Sequence, residues 1–258
     1  MDYQAITYSV AEDVATLTFN RPDVMNGLNA QMRREIHHAV VRAQGEARVL
    51  VMTGAGRGFC SGQDLGDGGR ASDLDLERTL REEYEPMLKA IYGCTIPTIS
   101  AVNGPAAGAG ANLALAADVV IAARSAVFIQ AFARIGLIPD AGGTYYLPRQ
   151  MGLAKAMGAA LFADKITADQ ADQWGMIWAA VPDERFAQEV QARALQLAQG
   201  PTQAYRHIKA ALRASFENTL DDQLSLEAQL QGEAGKTRDF LEGVTAFLEK
   251  RPAKYQGR

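Results

Sequence analysis

Three short segments hold the residue types from which an active site can be built: residues 57–65 (RGFCSGQDL), 104–111 (GPAAGAGA) and 136–144 (GLIPDAGGT). Glycine and alanine in the second let a backbone come close to a ligand. A helix opening there would present unpaired N–H groups to whatever lies in front of it. Such donors suit a carbonyl oxygen that gains charge during a reaction. Tight packing of a small-residue helix explains the same composition, and for the segment alone it is the simpler account. In RGFCSGQDL, Gly58 and Gly62 permit an unusual backbone path, and the residue after Gly62 can turn its N–H inward. A turn closing a strand explains that segment equally well. Asp140 is a carboxylate among apolar and small residues. It fits an N-cap for a helix opening near Gly142, which is the simpler local account, and it fits a general base whose pKa is raised by burial.

Other chemistries find less support. His37, His38 and His207 fall in expected helices without a companion motif, and Ser61 has neither a GxSxG setting nor an identifiable histidine partner. Cys60 and Cys94 have no metal-ligand spacing and give no disulfide framework, so no metal site and a reducing compartment are expected. No GxGxxG opens the first strand–helix unit, which argues against a dinucleotide fold. A net charge of −4 argues against broad binding to nucleic acid or anionic membrane, while leaving room for a local basic patch. No basic segment followed by an apolar run marks the N-terminus, and the longest apolar stretch, 113–123, is interrupted by Asp118. A cytoplasmic protein is expected.

These segments need elements to hold them. Residues 3–9 and Val14–Phe19 read as strands around the turn-like Ala11-Glu12-Asp13. A helix capped by Asn29 follows, with Met32, Ile36 and Val40 at helical spacing. Residues 48–53 (RVLVMT), Thr98–Val102 and 119–122 read as further strands. Strands alternating with helices imply an α/β class with right-handed crossovers and a mainly parallel sheet. Residues 66–73 (GDGGRASD) have the composition of a surface loop. Beyond about Gly152 no strand is expected, only helices over 167–174, 184–198, 201–214, 220–231 and 237–249. The division expected is a core over 1–195 and a helical region over 196–258.

Together, VATLTFNRPDVMNGLN, VMTGAGRGFCSGQDL, IPTISAVNGPAAGAGANLALAADVVIAARSAVF, GLIPDAGGTYYLPRQMG and DFLEGVTAFLEKRPAKYQGR resemble the enoyl-CoA hydratase/isomerase family, the crotonase superfamily. The resemblance implies a spiral of repeated ββα units, with C-terminal helices that mediate homotrimers, often paired as hexamers. It also implies an acyl-CoA substrate whose thioester oxygen lies between two backbone N–H groups. By position these are Gln63 and Ala109, the second assignment extending to Gly110. Ser61, Gln63, Asp64 and Leu65 would bind CoA, with no cofactor beyond the CoA of the substrate.

The departures from the family pattern carry the chemistry. Hydratases of the family usually hold two glutamates, and those positions are Asn112 and Phe132 here. Asp140 falls where some isomerases of the superfamily place a catalytic carboxylate. Hydration calls for one group to activate water and another to handle the α-proton, whereas an allylic proton shift needs one carboxylate acting in both directions. An isomerase is therefore expected. The wording of the later motifs is similar to ring-opening isomerases that convert a ring-1,2-epoxyphenylacetyl-CoA to an oxepin-CoA and shift enoyl-CoA double bonds. Asn112, Phe132 and Ile138 would line the acyl pocket, with Phe128 in the core. The rival readings are an enoyl-CoA hydratase of fatty-acid β-oxidation, a non-catalytic acyl-CoA-binding protein and a CoA-thioester hydrolase.

Overall fold

The computed structural model describes residues 2–64, 66 and 75–257. Strands β1 (Ile6–Ala11) and β2 (Val14–Phe19) form a hairpin whose two turn residues, Glu12 and Asp13, both have positive φ. That conformation matches the right-handed twist of the flanking strands. The first strand begins three residues later than its sequence suggests. The reason is Glu35, whose carboxylate accepts the N–H groups of Gln4, Ala5 and Ile6 and pins this stretch to helix α1 (Ala30–Glu46). Asn29 caps α1 as expected, its side chain accepting from the Met32 N–H.

From β2 the sheet continues in parallel through β3 (Val49–Gly54), β4 (Thr98–Val102), β6 (Val119–Ala123) and β9 (Ala179–Val181). A second, smaller sheet contains β5 (Ala106–Ala107), β7 (Val127–Ile129) and β8 (Lys165–Thr167). The chain alternates between them: β4 then β5 then helix α4 (Ala109–Leu115), and β6 then β7 then helix α5 (Gly143–Phe162). Isolated bridges, Leu28 with Gln63 and Cys60 with Ala106, extend the pattern to earlier loops. This alternation is a repeated strand–strand–helix turn, and it delivers the loops after β3, β4 and β7 to one place.

Strands β3 and β4 are buried on both faces, as the unbroken apolar runs require. Leu50 and Met52 belong to the main core with α1 and α4 residues, among them Met32, Ile36 and Leu113. Val49 and Val51 turn the other way, onto Ala194 and Ala198 of helix α7 (Asp183–Ala198). Residues 195 and 196 lie inside α7, a helix that packs on the core sheet. Two strands also lie beyond Gly152, β8 and β9, each three residues long and too short to show a period. Between them runs helix α6 (Ala168–Gln173), opened by a capping box of Thr167 and Gln170.

One stretch was not anticipated as helical. Helix α2 (Leu76–Thr79) passes through a π turn (Leu80–Tyr84) into α3 (Glu85–Tyr92). The C-terminal helices are α8 (Thr202–Ala214), α9 (Leu220–Ala234) and α10 (Arg238–Glu249). Helix α8 is fixed to the core by Lys209 and Arg213, which both pair with Asp118 at 2.7 Å. Asp118 also accepts the backbone N–H and the hydroxyl of Thr98. Among the described residues no helix is long and apolar enough to cross a membrane.

Candidate active site

The loop after β3 and the loop after β4 are sewn together by their main chains. The Ala107 N–H donates to the Cys60 carbonyl at 2.9 Å, and the Phe59 N–H donates to the Pro105 carbonyl at 3.0 Å. Two glycines make the approach possible. A Cβ on Gly110 would lie 2.3 Å from the Cys60 oxygen. Gly62, at φ +92, would put a Cβ 2.8 Å from the Ala107 oxygen and 3.3 Å from the Ala109 nitrogen. On its other side, the Leu28 N–H donates to the Gly62 carbonyl at 2.7 Å and the Asp64 N–H donates to the Leu28 carbonyl at 3.1 Å. A parallel bridge of this kind uses the peptides flanking Gln63 and turns Gln63's own N–H to the opposite side. Neither that N–H nor the N–H of Ala109 or Gly110 has an acceptor among the described residues. Three N–H donors without an acceptor among the described residues thus stand close together, Gln63 on the loop after β3 and Ala109 and Gly110 at the start of α4.

Asp140 is carried by the loop before α5, where Ala141 and Gly142 both have positive φ. The cap of α5 is Gly142 with no side-chain hydrogen bond, so the carboxylate does not cap the helix. The Asp140 carbonyl accepts from the Gly143 N–H at 2.8 Å and from Asn112 Nδ2 at 2.7 Å. Its carboxylate oxygen Oδ1 is buried without a hydrogen-bond partner. Burial pushes the Asp140 pKa up from 3.8 to about 6.

The side chains expected at the acyl group take different places. Asn112 is fully buried, with Nδ2 on the Asp140 carbonyl and Oδ1 accepting from Gln130 Nε2 at 2.9 Å. It is a clamp on the loop that carries Asp140, and Gly143 leaves it room, since a Cβ there would lie 2.3 Å from Asn112 Nδ2. Phe132 is buried beside Gly108, and Phe128 is core as expected. Ile138 is mostly exposed and lines a cavity of about 680 Å³ that also contains Asp140.

Four tyrosines, Tyr84, Tyr92, Tyr145 and Tyr146, form much of that cavity's wall. The rings of Tyr145 stand edge-on to Tyr92 and Tyr146, both at 87°, and the Tyr92 and Tyr145 hydroxyls are 3.2 Å apart. Burial raises Tyr92 and Tyr146 to about 12, so both are neutral phenols at ordinary pH. Glu85 is a second carboxylate on the lining, but it is exposed and paired with Lys89 at 2.5 Å. That bond and charge hold its pKa below the usual value, the opposite direction from Asp140. Sequence reasoning missed this wall, although Leu80, Tyr84, Leu88 and Tyr92 recur every fourth residue.

Ser61 and Asp64 lie on the side of the loop that faces residues 21–27. The Ser61 hydroxyl donates to the Val24 carbonyl, and Asp64 pairs with Arg21 at 2.8 Å. Leu65, and residues 67–73 of the expected surface loop, lie outside the described residues. The histidines are elsewhere: His38 is hydrogen-bonded to the Tyr3 hydroxyl, His207 stands 3.9 Å from Glu233, and His37 is exposed. Among the described residues no group of three or more His, Cys, Asp or Glu side chains is arranged to hold a metal ion.

The spiral that gathers these loops has counterparts in known proteins. A family model described as enoyl-CoA hydratase/isomerase matches residues 9–258. The chain belongs to the enoyl-CoA hydratase/isomerase family. A Rhodobacter capsulatus protein named "Probable enoyl-CoA hydratase" is 61% identical over the full length of both chains. The Escherichia coli 1,2-epoxyphenylacetyl-CoA isomerase is 46% identical over 96% of this chain and 97% of its own. The crystal structure of an enoyl-CoA hydratase from Bacillus anthracis superposes with a TM-score of 0.91 at 30% identity, covering 99% of this chain and 100% of that one. The fold is accordingly the crotonase-like α/β spiral of this enzyme family, and an acyl-CoA substrate is consistent with it.

Proposed function

We propose that this member of the family is an acyl-CoA isomerase in which Asp140 moves the proton and the N–H groups of Gln63 and Ala109 hold the thioester oxygen. The observation that carries this reading is the buried, unpartnered Asp140 oxygen on a cavity whose other lining carboxylate, Glu85, is exposed and neutralised by Lys89. Asp140 takes a proton from the carbon next to the thioester, and the electron pair moves to the thioester oxygen. The same carboxyl then returns the proton further along the conjugated system. No further cofactor enters these steps. The four tyrosine rings and the 46% identical isomerase support a ring-1,2-epoxyphenylacetyl-CoA, opened to an oxepin-CoA, as substrate, with enoyl-CoA double-bond shift as a related activity. Exposed Phe240, Leu241, Phe247 and Leu248 on α10 support assembly as a homotrimer or a pair of trimers, and a cytoplasmic location is proposed with it.

The test is Asp140→Asn. We expect turnover of a 3-enoyl-CoA to fall by about 10³-fold, within the range of a lost general base, while affinity for the thioester is kept. Unchanged turnover overturns the assignment. Chromatographic separation of the two isomers, which share one mass, with ultraviolet and tandem mass-spectrometric detection after incubation with 2-(1,2-epoxy-1,2-dihydrophenyl)acetyl-CoA decides the acyl group. The 61% identical relative favours one second reading, an enoyl-CoA hydratase. Efficient loss of crotonyl-CoA absorbance by hydration would establish it instead.

A further inference from the structure

The Gln63 side chain is held far more firmly than a loop residue needs to be. Its Oε1 accepts from the Tyr84 hydroxyl at 2.6 Å and from Arg33 Nη1 at 2.9 Å. Arg33 is only 3% exposed, and its charge is paired with Glu83 at 2.5 Å. The same Arg33 Nη1 donates to the Leu28 carbonyl at 2.8 Å, the carbonyl that also receives the Asp64 N–H. Arg33 therefore ties together the main-chain and side-chain anchors of the Gln63 peptide. Tyr84 comes from the π turn between α2 and α3, and its ring lies 4.8 Å from the Arg33 guanidinium carbon. Gln63 Oε1, Arg33 and the Tyr84 hydroxyl are all engaged, and the Gln63 N–H is left without an acceptor among the described residues.

We infer that Arg33 and Tyr84 are positioning residues that lock the Gln63 side chain so that its backbone N–H stays fixed where the thioester oxygen gains charge. The inference rests on the reading of that N–H as an oxyanion donor. An oxyanion donor acts through preorganisation, so a displacement too small to unfold the loop still weakens it. A network that only supports packing lowers stability instead and leaves the polarisation of a bound carbonyl unchanged.

The experiment is isotope-edited infrared spectroscopy of bound [1-¹³C]butanoyl-CoA, which is saturated and inert to isomerisation. In the parent protein the carbonyl stretch is expected to move to lower frequency on binding. In Tyr84→Phe that displacement should shrink, with kcat on a 3-enoyl-CoA reduced about tenfold and KM within about twofold, the effect of one lost hydrogen bond. Gln63→Met removes both bonds to Oε1 and should shrink the displacement and kcat at least as much. Gln63→Met serves as the second variant because Tyr84 also lines the cavity and Gln63 does not. If both variants keep the parent's carbonyl displacement and kcat, whatever happens to Tm, the positioning role is overturned. A parent complex with no displacement overturns the oxyanion reading itself, and the lock with it.

Discussion

The raised pKa of Asp140 has two consequences for pH dependence. If Asp140 is the proposed base it must be ionised, so kcat/KM is expected to rise through an apparent pKa near 6 and to level off above it, measured on a 3-enoyl-CoA. Its effect on stability has the opposite slope. A carboxyl whose pKa is raised from 3.8 to about 6 binds its proton more tightly folded than unfolded. Its contribution is most favourable below the unfolded value and is lost as the pH climbs through about 6. At pH 7 Asp140→Asn should therefore raise Tm by a few degrees, roughly 2–4 °C for each kcal/mol recovered, while turnover falls by about 10³-fold. A lower Tm would mean that the charged form is stabilised by a contact. Gly62→Ala is expected to remove turnover as well, because an added Cβ meets the Ala107 carbonyl at 2.8 Å and the residue sits at φ +92. Far-UV circular dichroism should stay native, and a fully active variant would show that the two loops can separate without cost.

At the scale of elements, Asn112 joins α4 to the loop before α5. Asn112→Ala leaves the Asp140 carbonyl and Gln130 Nε2 each without one partner, a loss of about 1–3 kcal/mol for buried polar groups. Urea denaturation should register that loss together with a lower kcat; no change in either measurement removes the clamp from the account. Elements whose burial repeats with a clear period were legible from sequence: β2 and β4 have the expected bounds, and α1 starts at its expected cap. The close approach of residues 57–65 to 104–111 was legible too, because glycines at such contacts leave a compositional mark. The cavity wall was not. Residues 76–92 are interrupted by charges, a π turn and Pro86, which blur the helical period. Asn112 was assigned to the acyl group because its contact is made 28 residues away in the chain, beyond any local pattern. Asp140 read more simply as a cap, since only the three-dimensional surroundings of Oδ1 reveal that nothing pairs with it.

For the whole molecule, Asp118 is one fastening between the spiral and the C-terminal helices, beside Arg48, which donates to Thr202 and to the Gly200 and Tyr255 carbonyls. Asp118 stands between Lys209 and Arg213, and Lys209 also donates to the Cys94 and Ile96 carbonyls. Burial lowers the Lys209 pKa, with Asp118 opposing that shift. Asp118→Ala leaves two partly buried cations uncompensated, a change that typically costs about 3–5 kcal/mol. Chemical denaturation should show that loss, or a separate early transition in which α8–α10 detach. Arg213 also lies 3.9 Å over the Tyr92 ring, so detachment would reach the cavity wall. The expected assembly is checked by sedimentation velocity, where a species of about 27.8 kDa alone would exclude the trimer.

The Asn112 clamp also constrains how the family's chemistries can be exchanged. A glutamate at 112 is what the two-carboxylate hydratase pattern asks for, yet a carboxylate has no N–H to give the Asp140 carbonyl. It would also bring its charge next to that oxygen, with Gly143 crowding the same spot. A second acid here would leave the Asp140 carbonyl only the Gly143 N–H of its two donors. Conversion to a hydratase is then more than the exchange of one residue, because the loop that carries Asp140 has to be anchored anew.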